Sequence, residues 1–130
     1  MRLYPPLHGI PRETTQSVDV GDYRLPAGAT VLLSAYLVHR DERFFEDPLT
    51  FRPERWEDDL ESQLPDLAYF PFGGGPRRCF GQQFAMIEAK AVLGTIGQRY
   101  QLDYVGGGLE LDPQMTTNPA DGLPMKVRER

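Results

Sequence analysis

A chain of 130 residues, 40% apolar and 25% charged, has the material for one globular domain with its own core. Its net charge of −5, with no basic run longer than Arg77-Arg78, argues against nucleic acid or an anionic membrane surface as a partner. No stretch has the apolar length of a bilayer-spanning helix, and the start lacks a signal-peptide pattern. A single cysteine, Cys79, excludes an internal disulfide framework and any zinc or redox site built from paired cysteines of this chain. The expectation is a cytoplasmic protein with no membrane segment within these residues.

Pro5 and Pro6 end any helix that reaches them, because the residue before a proline avoids helical backbone. Extended runs follow. Val18 and Val20 alternate with polar neighbours, Gly21-Asp22 makes a turn, and Tyr23-Arg24-Leu25 resumes the extended chain. After a second turn at Pro26-Ala27-Gly28, the run Thr30-Val31-Leu32-Leu33 predicts another strand. Ser34 suits the cap of a short helix over 35–39, and Asp41 the start of a turn reaching Phe44-Phe45. Residues 46–70 mix prolines, acids and aromatics without a period, which predicts a meandering loop long enough to serve a function.

Gly73-Gly74-Gly75-Pro76 interrupts the chain again, and one long helix is predicted from about Phe80 to Arg99. Phe80, Phe84, Ile87 and Ala91 fall on one face at helical spacing. Val92 and Ile96 widen the stripe, so this helix is expected to be buried over much of its surface. Turns at Gly106-Gly107-Gly108 and Asn118–Gly122 predict a closing β-hairpin.

The chemistry concentrates in Phe72-Gly73-Gly74-Gly75-Pro76-Arg77-Arg78-Cys79-Phe80-Gly81. A phosphate-binding loop would need a lysine here, and a dinucleotide fingerprint starting at Gly73 and Gly75 would need glycine where Arg78 stands. The run meets every fixed position of F-x-x-G-x-R-x-C-x-G and resembles the cysteine-ligand loop of the cytochrome P450 family. The physics agrees with the pattern. The start of the following helix favours an anionic sulfur, and the glycines let the backbone close around it. An arginine offers a permanent charge to a carboxylate.

The resemblance extends over nearly the whole chain and implies an α+β fold, mainly α with small β-sheets. Residues 1–130 would be the haem-binding C-terminal portion of a single domain whose remainder precedes Met1. It implies haem b as the cofactor, with Cys79 as iron ligand and Phe72, Gly75, Arg77 and Gly81 around it. Arg12, ten residues after Arg2, would be a second propionate partner. Arg2 and Arg55, the latter in Phe51-Arg52-Pro53-Glu54-Arg55-Trp56, would form a buried charge network with a helix glutamate two residues before Met1. Leu7, His8, Ile10 and Leu123 would touch substrate, and His39 would be structural.

The function so implied is haem-thiolate monooxygenation. The thiolate donates electron density to the iron and favours O–O cleavage, and one oxygen atom enters a small organic substrate. Electrons would come from a ferredoxin or flavoprotein reductase. Two alternatives stand beside this reading: a non-catalytic haem-binding module, and a truncated product that is inert. A thiol enzyme using Cys79 as nucleophile ranks below them, since nothing in the sequence pairs it with a histidine and an acid. Without the preceding helices, the apolar stripe from Phe80 onward is expected to lie open and to promote self-association.

Overall fold

The computed structural model describes residues 1–112, 114 and 116–130. Contacts cluster into two compact units, Met1–Gly73 and Gly74–Arg130.

The first unit opens with irregular chain through the prolines and then forms four short strands: β1 (Ile10–Glu13), β2 (Val18–Val20), β3 (Tyr23–Leu25) and β4 (Thr30–Leu33). β2 and β3 make the predicted hairpin, with Val18 opposite Leu25 and Val20 opposite Tyr23. β4 pairs antiparallel with β1, from Ile10 opposite Leu33 to Glu13 opposite Thr30. β1 was not predicted. Ile10-Pro11-Arg12-Glu13 has no alternation of its own and becomes a strand because Thr30–Leu33 offers it a partner edge.

Helix α1 (Ala35–Val38) starts where Ser34 predicts. The Ser34 hydroxyl accepts the Leu37 N–H (3.2 Å) and donates to the His8 carbonyl (3.1 Å). The Tyr36 N–H reaches the same carbonyl (3.1 Å), so the helix start is fastened to the segment leading into β1. Ser34→Ala removes both hydroxyl bonds and is expected to cost about 1 kcal/mol. Urea unfolding followed by fluorescence of Trp56, the chain's one tryptophan, measures it.

Asp41 also acts as expected. Its carbonyl accepts the Phe44 and Phe45 N–H groups, and its carboxylate accepts the Arg43 N–H (2.9 Å). The meander beyond it contains two unpredicted turns of helix: a 3-10 turn at Pro53–Trp56 and α2 (Leu60–Gln63). Both are too short for a period to show.

The core of this unit is small and largely aromatic. Ala35, Phe45 and Ala68 are buried together with Pro5, His39 and Arg2. Trp56 packs between Phe45 and Tyr69, with ring centroids 6.4 and 4.7 Å away, and Tyr69 continues to His39 at 5.0 Å.

In the second unit, a 3-10 turn at Gly75–Arg77 leads past Cys79 into α3 (Gln82–Arg99). The helix passes directly into β5 (Tyr100–Tyr104), which pairs antiparallel with β8 (Met125–Glu129) to close the tail. β6 (Leu111–Asp112) and β7 (Asn118–Pro119) form a smaller pair between them. The expected burial of α3 is not found: none of its residues is buried, and Phe84, Ile87 and Leu93 are each about 70% exposed. The apolar stripe is present, but no element of this unit covers it.

Candidate functional site

The cysteine loop takes its shape from one backbone choice. Gly75 stands at φ +65°, and a Cβ there would meet nothing within 4 Å, so the conformation rather than space calls for glycine. The turn closes from the Arg78 N–H to the Gly75 carbonyl (3.1 Å). Arg78 Nε donates to Gln82 Oε1 (2.7 Å), tying the loop to the first residue of α3. Cys79 is exposed, as are Arg77 and Phe80. A Cβ on Gly81 would lie 3.8 Å from Cys79 Sγ, so the sulfur rests beside that glycine. Gly81 also precedes α3 without a side-chain cap, leaving backbone N–H groups free at the helix start.

Arg2 and Arg55 converge on the Thr50 carbonyl. Arg2 is buried and donates to the carbonyls of His39 (2.7 Å), Pro48 (2.6 Å) and Thr50 (3.2 Å). Its guanidinium also lies over the Phe45 ring, 5.0 Å from the centroid. Arg55 reaches the same Thr50 carbonyl (3.4 Å) and the carbonyls of Glu46 and Asp47. Burial, and then the charges of Arg55 and Arg40, hold Arg2 below its ordinary pKa. Among the described residues neither cation has a carboxylate within ion-pair distance, and Arg55 Nε is buried without a partner. A cavity of about 450 Å³ opens beside them, bordered by Met1, Tyr4, Phe51 and Trp56.

The other sequence candidates divide between the units. Leu7, His8 and Ile10 lie half-buried on the segment entering β1, and Arg12 is exposed on that strand. Phe72 is half-buried near the end of the first unit. Gly75, Arg77, Cys79 and Gly81 belong to the second, as does Leu123, exposed before β8. The family resemblance implies a structural role for His39, and the structure buries it completely. Its Nε2 accepts the Phe70 N–H (2.9 Å), and among the described residues its Nδ1 meets the hydrogen-bond criteria with none. A lone histidine after a four-residue helix gives no sequence signal of which group it bonds.

Comparison with known proteins decides the family. A family model described as Cytochrome P450 matches residues 1–126. The chain belongs to the cytochrome P450 family. A relative named "Probable cytochrome P450 4d20", from Drosophila melanogaster, is 38% identical over 130 residues, covering this whole chain and 26% of its own length. "Cyclooctatin synthase" from Streptomyces melanosporofaciens is 37% identical over 127 residues, covering 95% of this chain and 28% of its own. Among solved structures, retinoic acid-bound cyanobacterial CYP120A1 superposes with a TM-score of 0.91 at 33% identity, covering 99% of this chain and 31% of its own. The cytochrome P450DA heme domain gives 0.89 at 31% identity, covering 99% and 29%. The chain thus spans about a quarter of the length of these curated P450 relatives.

The α+β architecture expected for this part of a cytochrome P450 is the one observed. Members of the family bind haem b. The residues present fit that group. Among the described residues no cluster of three or more His, Cys, Asp or Glu could hold a metal ion, which leaves a single accessible sulfur donor. One sulfur cannot complete a tetrahedral site by itself, but it would suit an iron already held by a macrocycle. The open glycine turn and exposed Phe80 beside it leave room for a flat apolar partner. No helix is long and apolar enough to cross a membrane among the described residues.

Proposed function

We propose that this chain is the haem-ligand portion of a cytochrome P450 monooxygenase, with Cys79 as the thiolate that would hold the iron. The observation that carries the reading is a lone, exposed Cys79 between the positive-φ Gly75 turn and the uncapped start of α3, in a chain of this family. Haem ligated by a thiolate supplies oxygen activation, leading to insertion of one oxygen atom into a small organic substrate. The chain's own residues bind and orient. Arg77 and Arg12 would each offer a propionate a charge-assisted hydrogen bond, and Phe72 would pack against the ring. Gly75 and Gly81 admit it to the sulfur. Leu7, His8, Ile10 and Leu123 line the substrate side, and a ferredoxin or flavoprotein reductase delivers the electrons.

Arg2 and Arg55 hold the meander by bonding its carbonyls. Their unpaired charges and the adjoining cavity suit a carboxylate, the third member implied by the family resemblance. The domain assignment follows the same reading: residues 1–130 as part of one haem-binding domain.

The chain loaded with haem, reduced and exposed to carbon monoxide, is expected to show the strongly red-shifted Soret band of thiolate ligation. Cys79→Ser should lose that shift. Identical spectra for the two proteins would remove Cys79 as the ligand.

A further inference from the structure

His39 has no part in the proposed haem site. Its ring is wholly buried against Tyr69 and edge-on to Phe70, with centroids 5.0 and 5.3 Å apart. Nε2 accepts the Phe70 N–H, so in this hydrogen-bond network the ring proton resides on Nδ1, which is buried. The Phe70 carbonyl in turn accepts the Gly73 N–H (3.0 Å). Two hydrogen bonds in series therefore run from His39 to the last residue of the first unit. They set the turn that carries Phe72, just ahead of the cysteine loop in the chain. Gly73 stands at φ +77° with Ile10 Cδ1 3.3 Å from where a Cβ would be, leaving that end of the turn little freedom to adjust.

A second proton on this imidazole would sit on Nε2 and face the Phe70 N–H, donor against donor. The surroundings compensate only in part, through the Arg2 backbone, which favours the protonated ring. The charged and titratable groups facing the ring are the Arg2 guanidinium and Met1 ammonium from the N-terminal segment, Arg40 after α1, and the Tyr69 phenol. The Tyr69 phenol is pushed up to about 12, chiefly by burial, and stays neutral. No carboxylate is among them.

We propose that His39 is an acid-sensitive latch: neutral, it holds the Phe70–Gly73 turn and Phe72 to the first unit, and protonated, it lets that turn go. The latch stands on the first unit alone. Its consequence for packing Phe72 on the haem rests on the proposed function. Burial lowers the His39 pKa from 6.5 to about 4; a hydrogen bond to the Arg2 backbone opposes the shift in part, and the charges of Arg2 and Arg40 reinforce it. The released state takes up the proton first, so latching is complete above about pH 6.5 and weakens as pH falls from there toward 4.

The test is amide hydrogen exchange of the intact chain, followed residue by residue by NMR and corrected for intrinsic rates. The Phe70 amide should lose protection by on the order of a hundredfold between pH 6.5 and 4. The Thr14 amide, bonded to the Ala29 carbonyl in the same unit, should hold its protection. His39→Gln keeps an acceptor that does not titrate, and its Phe70 protection should be flat across this range. The latch is overturned by a flat Phe70 profile in the unmodified chain, by Phe70 and Thr14 falling together, or by an unchanged slope in His39→Gln. If that variant does not fold, the two amides of the unmodified chain decide. None of these readouts depends on haem.

Discussion

Replacing Arg2 with methionine should destabilise the first unit by about 3 kcal/mol, the largest loss expected from one polar side chain here. Arg2 is 5% exposed, and it is the sole side-chain donor to the carbonyls of His39 and Pro48 among the described residues. Each bond has a charged donor, so each contributes about 1.5–3 kcal/mol, and methionine leaves both acceptors buried and unsatisfied. Thr50 retains Arg55 at 3.4 Å. The opposing effect is relief of a desolvated cation near Arg55 and Arg40, which reduces the loss without reversing it. Arg55→Met should cost less, about 1 kcal/mol, because its bonds of 3.0–3.4 Å are longer and its side chain less buried. The urea midpoint read by Trp56 fluorescence measures both, since Trp56 packs against Phe45, the ring under Arg2. An Arg2→Met midpoint matching that of the unmodified chain would mean that desolvation and repulsion cancel the hydrogen bonds.

The second large effect concerns association. The chain alone should self-associate through α3, and Phe84→Glu with Ile87→Glu should weaken that association at least tenfold. Phe84 and Ile87 are 71% and 69% exposed on adjacent turns, with fully exposed Phe80 one turn earlier. Burying one such side chain contributes about 1.5–3 kcal/mol, and a symmetric contact counts it twice. Introduced glutamates remove that gain and bring like charges together. Sedimentation velocity over a range of concentrations reads the change. A monomeric, compact species at every concentration would show that the open stripe is not sticky enough to matter.

The local features were legible because their causes are local. Ser34 caps α1 through its own hydroxyl, and Asp41 organises the next turn by bonds to residues within four positions. The β2–β3 hairpin follows from alternation around Gly21-Asp22. The cysteine loop could be read because a cysteine, its glycines and its arginine crowd into ten residues. β1 was not legible, since its partner lies about twenty residues away and its own composition is neutral to strand formation. The α3 stripe was legible as a pattern, while its exposure was not, because periodicity gives the face and not what covers it.

Residue types and spacing by themselves determined the cysteine loop, through it the resemblance to the family, and the apolar face of the long helix. Only the tertiary structure decided that Arg2 is bonded to carbonyls rather than to an acid. It alone places His39 behind Tyr69 with one nitrogen committed to Phe70. The reason is physical: a pattern records which groups a chain carries. Burial and the direction of each backbone N–H and C=O, set by segments thirty or more residues apart, decide which of them are satisfied.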